Sequence, residues 1–315
     1  MSGAAVADAP GAGANPGISR AEALRRVVDR LRSAGVESAE REAEWLLLRA
    51  LGIDRASYWA EPKAPVACDQ AAALETIVAR REGRVPLHLI LGDVPFHGVS
   101  LLVVPGVFVP RPETEELVEA ILAQPLPPRG ALLDWGTGTG AIAVAFLAAR
   151  QGWTGVGADR SREALALAAK NAARNGVFGR FQAVEADFTA ASSLNLDADS
   201  AAPTPASQGA LFDVVVSNPP YVRRGDIPGL MPEVRDHDPR EALDGGPDGL
   251  DAFRHLARGL DRWLRPGGLL ALELGADQAD NVLGVLDGLI EDTRALPDRA
   301  GRPRFVIGTM RGGGV

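Results

Sequence analysis

Residues 132–145 read LLDWGTGTGAIAVA, an apolar run that leads through a glycine-rich loop into a second apolar run. The first run, Ala131–Trp135, predicts a buried strand, and the second, Ala141–Arg150, predicts a helix. Glycines at alternate positions let the backbone turn sharply and approach a ligand without interference from a Cβ atom. The helix N-terminus offers free N–H groups that suit a carboxylate or a phosphate. The loop Gly136-Thr137-Gly138-Thr139-Gly140 therefore predicts a site for a nucleoside-type cofactor, without choosing which one.

Strand-like and helix-like segments continue to alternate after this loop. Strands are predicted at Gly155–Ala158, Phe181–Glu185, Asp213–Ser217, Leu269–Leu274 and Arg304–Thr309, and helices at Arg162–Asn175, Gly249–Leu264 and Gln278–Leu289. Alternation of this kind is typical of a mostly parallel, doubly wound sheet. We therefore expect an α/β, Rossmann-like domain at residues 111–315.

The chain before this domain has a helical pattern. Residues 18–85 predict a small helical domain, and Ser19 followed by Glu22 predicts a capping box at its first helix. Residues 86–110 change to a period of two, which predicts a hairpin that connects the two domains.

Composition and charge exclude several classes of protein. The 315 residues are 46% hydrophobic, and a net charge of −8 gives no general attraction to nucleic acid. The one cysteine, Cys68, rules out a disulfide within the chain and fits a reducing compartment. No apolar run is long enough to span a membrane, so we expect a cytoplasmic protein, and we expect it to be a monomer. A leader at 1–17 and a Ser/Ala/Asp-rich insertion at 190–209 are expected to be flexible.

Neither a metal site nor a covalent nucleophile is predicted. His237, Asp238 and Glu241 are close in sequence, but the remaining histidines are scattered without ligand spacing. Cys68 lies in the helical domain, and the sequence has no Gly-x-Ser-x-Gly motif.

Three further positions are candidates for ligand binding. Asp159 ends the second strand, where a carboxylate can accept hydrogen bonds from ribose hydroxyls, although it can also cap the next helix. Asp187-Phe188 follows the third strand and can hold an adenine, or can be an ordinary loop aspartate beside a core phenylalanine. Arg111 lies between two prolines and ahead of Glu113. The preferences of a helix N-terminus explain Pro112 and Glu113, but not Arg111. A lid over the cofactor would explain Arg111.

The segment Asn218-Pro219-Pro220-Tyr221 directly follows the predicted strand Asp213–Ser217. Both prolines lack an N–H group, so the strand ends there in a rigid turn. The turn presents an amide, carbonyl oxygens and an aromatic ring at the edge of the sheet where ligands bind in α/β folds. Such a group can hold a planar NH2-bearing ligand, either an amide or a nucleobase edge.

The motifs together resemble the HemK/PrmC family of protein-(glutamine-N5) methyltransferases, which modify peptide chain release factors with S-adenosylmethionine. The matching segments are RREGRVPLHLILGDVPFHG (80–98), FVPRPETEELVE (108–119), LLDWGTGTGAIAVA (132–145), Asp159, SNPPYV (217–222), EVRDHDPREALDGGPDGL (233–250), LRPGGLLALELGADQ (264–278) and DRAGRPRFVIG (298–308). The PRPETE stretch is more selective than Asn-Pro-Pro-Tyr, which adenine-N6 methyltransferases share. Trp135, Phe188 and Asp238 depart from the residues that are common in the family.

The resemblance implies a class I methyltransferase fold and a role for each motif. Gly136–Gly140 would hold the methionine end of S-adenosylmethionine, Asp159 its ribose and Asp187-Phe188 its adenine. Asn218–Tyr221 would hold the substrate glutamine, with Asn218, Pro219 and Tyr221 as the catalytic residues, and Asn218 would also contact the cofactor. The release factor would be the protein partner, with no direct nucleic-acid substrate.

Other functions are compatible with parts of the sequence. A glutamine methyltransferase of a ribosomal protein and an adenine-N6 nucleic-acid methyltransferase are the nearest alternatives. The first usually departs from PRPETE, and the second is expected to carry a basic recognition region. A nicotinamide oxidoreductase would use the glycine loop but would not need Asn-Pro-Pro-Tyr. A binding module of the same fold would tolerate the loss of Asn218.

Overall fold

The computed structural model describes residues 17–187 and 211–312. Phe188, the predicted insertion 190–209 and all but the last residue of the predicted leader 1–17 lie outside the described residues. The chain divides into two compact units, one up to Leu91 and one from Gly92 onward.

The N-terminal unit is built from helices around its own apolar core. They are α1 (Arg20–Ser33), α2 (Ala39–Leu51), α3 (Arg55–Ala60), α4 (Cys68–Glu82) and α5 (Leu87–Leu91). The Ser19 side chain accepts a hydrogen bond from the Glu22 N–H at 3.2 Å, which caps α1. The Glu22 carboxylate turns instead to Arg25 and Arg26, so the second half of the predicted capping box is replaced by ion pairs.

The second unit begins with a hairpin and continues as alternating strands and helices. The hairpin is β1 (Asp93–Phe96) and β2 (Val99–Leu102). It is followed by α6 (Pro112–Leu122), β3 (Gly130–Trp135), α7 (Ala141–Ala149), β4 (Trp153–Asp159), α8 (Arg162–Arg174), β5 (Phe181–Glu185), β6 (Phe212–Ser217), α9 (Pro232–Arg235), α10 (Arg240–Leu243), α11 (Asp251–Trp263), β7 (Leu264–Glu273), α12 (Ala279–Leu286), β8 (Ile290–Pro297) and β9 (Pro303–Met310).

Over the described residues, the main sheet has seven strands in the order β5-β4-β3-β6-β7-β9-β8. The first five are parallel, and β9 pairs antiparallel with both β7 and β8. After β3 the chain adds strands on one side of the sheet, and it then returns to place β6 on the other side. The carboxyl ends of β3 and β6 therefore form the switch point at which α/β sheets bind ligands.

The expected α/β class is confirmed, and the structure refines the predicted boundaries. The segment predicted as a connector, residues 86–110, is divided: Leu87–Leu91 is a helix of the N-terminal unit, and the hairpin belongs to the second unit. The strand β8 has no counterpart in the sequence prediction. Its residues are almost all exposed, so it lacks the apolar alternation that identifies a strand.

Candidate active site

The glycine loop after β3 adopts a backbone that ordinary residues avoid. Gly136, Gly138 and Gly140 have φ values of +78°, +55° and +80°. The N–H groups of Gly136 and Thr137 both donate to the Ala158 carbonyl, at 2.9 and 3.0 Å, which ties the loop to β4. A Cβ atom placed on Gly138 would meet no atom within 4 Å. The loop therefore borders open space at Gly138, on the side where a ligand can approach.

Asp159, at the end of β4, contacts this loop. Its Oδ2 accepts from the Gly138 N–H and its Oδ1 from the Ser161 N–H, both at 2.9 Å. The cap of α8 is Ser161, whose side chain accepts from the Ala164 N–H, so Asp159 is not the capping residue. Each carboxylate oxygen has two acceptor positions, so Asp159 keeps capacity for further donors.

Asp134, one residue before the end of β3, is a buried carboxyl beneath the loop. It is 1% exposed, and its Oδ2 accepts from the Thr137 hydroxyl at 2.8 Å and from the Ala143 N–H at 3.2 Å. Burial raises the pKa of Asp134 to about 7, against the two hydrogen bonds, which lower it. Within the described part of the chain, its Oδ1 is buried and accepts no hydrogen bond.

The Asn-Pro-Pro-Tyr turn follows β6, next to the end of β3. The two strands pair as far as Asp134 with Val216, and the Ser217 hydroxyl donates to the Trp135 carbonyl. The glycine loop and the turn therefore start from neighbouring positions of the sheet.

A chain of buried polar groups lies behind the turn. The Asn218 amide Nδ2 donates to the Thr114 hydroxyl at 3.1 Å, and that hydroxyl donates to Glu273 Oε2 at 2.8 Å. The Tyr221 hydroxyl lies 3.4 Å from the other oxygen, Oε1, of the same carboxyl. Burial raises the pKa of Glu273 to about 7. Thr114 is on α6 and Glu273 ends β7, so one carboxyl links three elements.

The backbone of the turn is held from a second side. Gln278 Nε2 donates to the Tyr221 carbonyl at 2.9 Å, and its Oε1 accepts from the Gly275 N–H at 2.9 Å. A Cβ atom on Gly249 would lie 2.5 Å from the Tyr221 carbonyl oxygen, and one on Gly245 would lie 2.7 Å from that of Pro220. Only glycine permits this approach, which explains the glycine-rich segment at 244–249.

Arg111 and Glu113, the candidates from the PRPETE stretch, lie at the start of α6. Arg111 forms an ion pair with the buried carboxylate of Asp238, and its guanidinium lies 5.1 Å from the centre of the Phe108 ring. Arg111 thus ties this stretch to the segment between α9 and α10. Glu113 contributes a negative charge near Glu273, whose pKa it raises further. Pro112 is the first residue of the helix, as expected.

Two models of known families match the chain. The PrmC N-terminal domain matches residues 22–92, and the methyltransferase small domain matches residues 100–230. A release factor glutamine methyltransferase of Cereibacter sphaeroides is 41% identical over 91% of this chain and 96% of its own length. One of Geobacter sulfurreducens is 40% identical over 83% and 87%.

The chain belongs to the HemK/PrmC family of protein-(glutamine-N5) methyltransferases. Among solved structures, a methyltransferase of Pyrococcus furiosus is similar to it with a TM-score of 0.47 and 18% identity, over 74% of this chain and 99% of that one. The two family models and the identity to release factor glutamine methyltransferases confirm the expected family, fold class and enzyme class.

The cofactor of this methyltransferase is S-adenosylmethionine, and the residues after β3 and β4 fit it. A Cβ atom on Gly138 would meet no protein atom within 4 Å, so open space borders the loop at this residue. Asp159 lies beside it with spare acceptor capacity, and the Asp134 carboxyl carries an oxygen without a partner in the described ranges. Asp187 is exposed at the end of β5, and Phe188 lies outside the described residues. The structure thus groups Gly136–Gly140 with Asp159.

Sequence reasoning missed the residues that support the methyltransferase motifs. Thr114, Glu273 and Gln278 were not singled out, although they lie within the quoted segments PRPETE and LELGADQ. A threonine or a glutamate inside a helix or strand has no distinctive spacing. Only Glu273 gave an indication, because it interrupts the apolar run Leu269–Leu274, whereas Thr114 lies between two glutamates and Gln278 follows an aspartate.

The structure also bears on metal and membrane binding. In the described ranges, no three His, Cys, Asp or Glu side chains come together as a metal site. None of the helices in that part of the chain is long and apolar enough to cross a membrane.

Proposed function

We propose that this enzyme transfers a methyl group from S-adenosylmethionine to the side-chain amide nitrogen of a glutamine in peptide chain release factors. The observation that carries the proposal is the rigid turn at Asn218, held at the switch point of the sheet beside the glycine loop. The family membership and the identity to release factor glutamine methyltransferases over most of the chain support the same substrate.

The mechanism must overcome the poor nucleophilicity of a carboxamide nitrogen, whose lone pair is delocalised into its carbonyl. S-adenosylmethionine supplies an electrophilic methyl group. We infer that the Asn218 side-chain oxygen and the Pro219 carbonyl accept the two amide hydrogens of the substrate. These contacts orient the nitrogen for attack and stabilise the positive charge that develops on it. Tyr221 packs against the amide, and the proton leaves to solvent after transfer.

For the cofactor, we assign the methionine end to Gly136–Gly140, the ribose to Asp159, and the adenine to Asp187 and Phe188. Arg111 and Glu113 remain candidates for a cofactor contact from the start of α6. Arg111 already pairs with Asp238, and this pair favours a role in holding the PRPETE stretch in place.

We further propose that the N-terminal helical unit recognises the release factor and that the enzyme acts as a cytoplasmic monomer. The N-terminal unit has its own apolar core, and its family model is separate from that of the methyltransferase domain. Analytical ultracentrifugation tests the oligomeric state. Binding of a release factor by variants of exposed residues of this unit, such as Trp59→Ala, tests the recognition surface.

The decisive experiment is incubation of the enzyme with methyl-labelled S-adenosylmethionine and either a release factor, a ribosomal protein or DNA, followed by mapping of the label. We expect label on the glutamine of the Gly-Gly-Gln motif of the release factor. Label on a ribosomal glutamine alone, or on adenine alone, would contradict the proposal.

Asn218→Ala tests the assigned mechanism. The variant removes the acceptor oxygen but leaves the glycine loop, so turnover should be lost while affinity for S-adenosylmethionine persists. Asn281→Ala, at an exposed position of α12, is the matched control and should behave as wild type. Near wild-type methylation by Asn218→Ala would show that the turn does not activate the substrate.

A further inference from the structure

The proposed mechanism needs one end of the Asn218 amide to face the substrate. An asparagine amide has an acceptor oxygen and a donor NH2 group of nearly the same shape. Packing alone distinguishes the two orientations poorly, because a rotation of 180° exchanges them with little change in volume. In the rotated form the NH2 group would face the NH2 group of the glutamine, so donor would meet donor. Something in the protein must therefore set the orientation.

The buried partners of Asn218 set the orientation of its amide. Thr114 is 3% exposed and Glu273 is 1% exposed, so water does not compete for their hydrogen bonds. The single hydroxyl hydrogen of Thr114 is donated to Glu273 Oε2, at 2.8 Å, and this oxygen can accept it whether or not the other carboxyl oxygen, Oε1, carries a proton. The Thr114 oxygen is then left with lone pairs, and Asn218 must present its NH2 group to it, at 3.1 Å.

The direction of this chain is therefore set at its inner end. Glu273 fixes the hydroxyl of Thr114, Thr114 fixes the amide of Asn218, and the Asn218 oxygen is turned away from α6. In the described part of the chain, that oxygen accepts no hydrogen bond. Its acceptor capacity is available for a ligand.

We propose that Thr114 and Glu273 are positioning residues that set which end of the Asn218 amide meets the substrate nitrogen, an inference that rests on the proposed function. Neither residue needs to contact the substrate. Glu273 also lies 3.4 Å from the Tyr221 hydroxyl, so the same carboxyl positions the aromatic side of the turn. Thr114, in the PRPETE stretch, thus contributes to the reaction although it lies on α6 and the turn follows β6.

A purely structural role for Thr114, as a residue that packs α6 against β7, makes a different prediction. Thr114→Val keeps the shape and removes the hydroxyl, whereas Thr114→Ser keeps the hydroxyl and removes a methyl group. If packing is what matters, valine should be tolerated better than serine. If amide orientation is what matters, the order is reversed.

The experiment measures methylation of a release factor together with the affinity for S-adenosylmethionine and the thermal midpoint. We expect Thr114→Val to lower kcat by roughly tenfold to a hundredfold, because a buried donor loses its partner and the amide is free to rotate. Cofactor affinity should stay within about twofold. Thr114→Ser should recover most of the rate. The matched control is Thr154→Val, since the buried Thr154 hydroxyl on β4 has no hydrogen-bond partner in the described ranges.

Glu273→Gln provides a second test, because an amide both donates and accepts and so no longer imposes a direction on Thr114. It should lower kcat, and the double variant Thr114→Val with Glu273→Gln should be no slower than the slower single variant, since both changes break one chain. Multiplicative losses would overturn the inference, and so would wild-type kcat in Thr114→Val.

The failure of the inference is distinguishable from the failure of the proposed function. If the wild-type enzyme leaves the release factor unlabelled, the proposed function is wrong. If the wild type methylates it and the threonine series follows packing instead of hydrogen bonding, only the positioning role is wrong.

Discussion

At the scale of single residues, two carboxyls carry most of the unusual electrostatics of the catalytic unit. Asp134 lies near the carboxyl end of β3 and Glu273 ends β7, with β6 between the two strands, and burial raises the pKa of each to about 7. Both are nearly excluded from water, and both offer an oxygen to a threonine hydroxyl, Thr137 and Thr114 respectively. These two buried carboxyls therefore make the free energy of unfolding depend on pH.

Glu273 should make the free energy of unfolding fall as the pH rises from about 5 to about 8. In that window the unfolded chain has already lost the proton, whereas the folded chain releases it only as the pH passes about 7, so the folded state binds more protons and loses stability with rising pH. Tyr221, Glu113 and Arg304 also face this carboxyl, and Arg304 opposes the effect of burial.

Glu273→Gln removes this titration, so its stability relative to wild type should improve by about 3 kcal/mol between pH 5 and pH 8. Urea unfolding at several pH values measures the difference. Parallel pH dependences of the two proteins would show that Glu273 is ionised throughout. The pH dependence that remains in the free energy of unfolding of the variant should come from Asp134.

At the same scale, the sequence predicted a ligand role for Asp159 and left a capping role open. The structure excludes the cap, because Ser161 performs it, and it joins Asp159 to the Gly138 N–H. Thr114 could not be chosen from the sequence, because its role depends on a hydrogen bond to a residue more than a hundred positions away.

At the scale of elements, the glycine loop and α7 were predictable because their requirements are local. Three left-handed glycines, a helix start and an apolar helix are all encoded within a few residues. The strand β8 is the opposite case. It is an exposed edge strand with charged side chains, which protect an edge from pairing with other chains and also hide it from pattern analysis.

Gly138→Ala tests whether the loop serves a ligand or only the fold. The new Cβ atom meets no protein atom within 4 Å, so the cost to stability should be the backbone strain of a positive φ, about 1 kcal/mol. Affinity for S-adenosylmethionine should fall at least tenfold, because the methyl group enters the space beside the loop.

The control for this change is Gly176→Ala, which follows α8 with a φ of +72° and also meets nothing within 4 Å. It should cost the same stability and leave cofactor affinity unchanged. Equal affinity in both variants, measured by calorimetry, would remove the loop from the cofactor site.

At the scale of the whole molecule, each unit has its own apolar core. Leu47 is fully buried in the N-terminal unit and Leu133 is fully buried in the second. We expect Leu47→Ala to destabilise the N-terminal unit by about 2 to 5 kcal/mol and to leave cofactor binding unchanged, since the deleted methyl groups leave a cavity in that core alone.

Leu133→Ala is the matched change in the second unit. It should weaken cofactor binding, because Leu133 lies in the strand that leads to the glycine loop. Hydrogen exchange resolved by peptide measures both variants. Loss of protection across both units after Leu47→Ala would mean that they unfold as one.

The sequence by itself determined the α/β class, the order of the elements, the glycine loop and the rigid turn after β6, because each depends on local periodicity and on backbone preferences. Only the tertiary structure decided that β6 lies beside β3, which brings the loop and the turn to one switch point. It also decided that Thr114 and Glu273 meet behind Asn218. The physical reason is that strand order and hydrogen-bond partners are set by the packing of distant segments, and the local pattern of a segment carries no record of its neighbours.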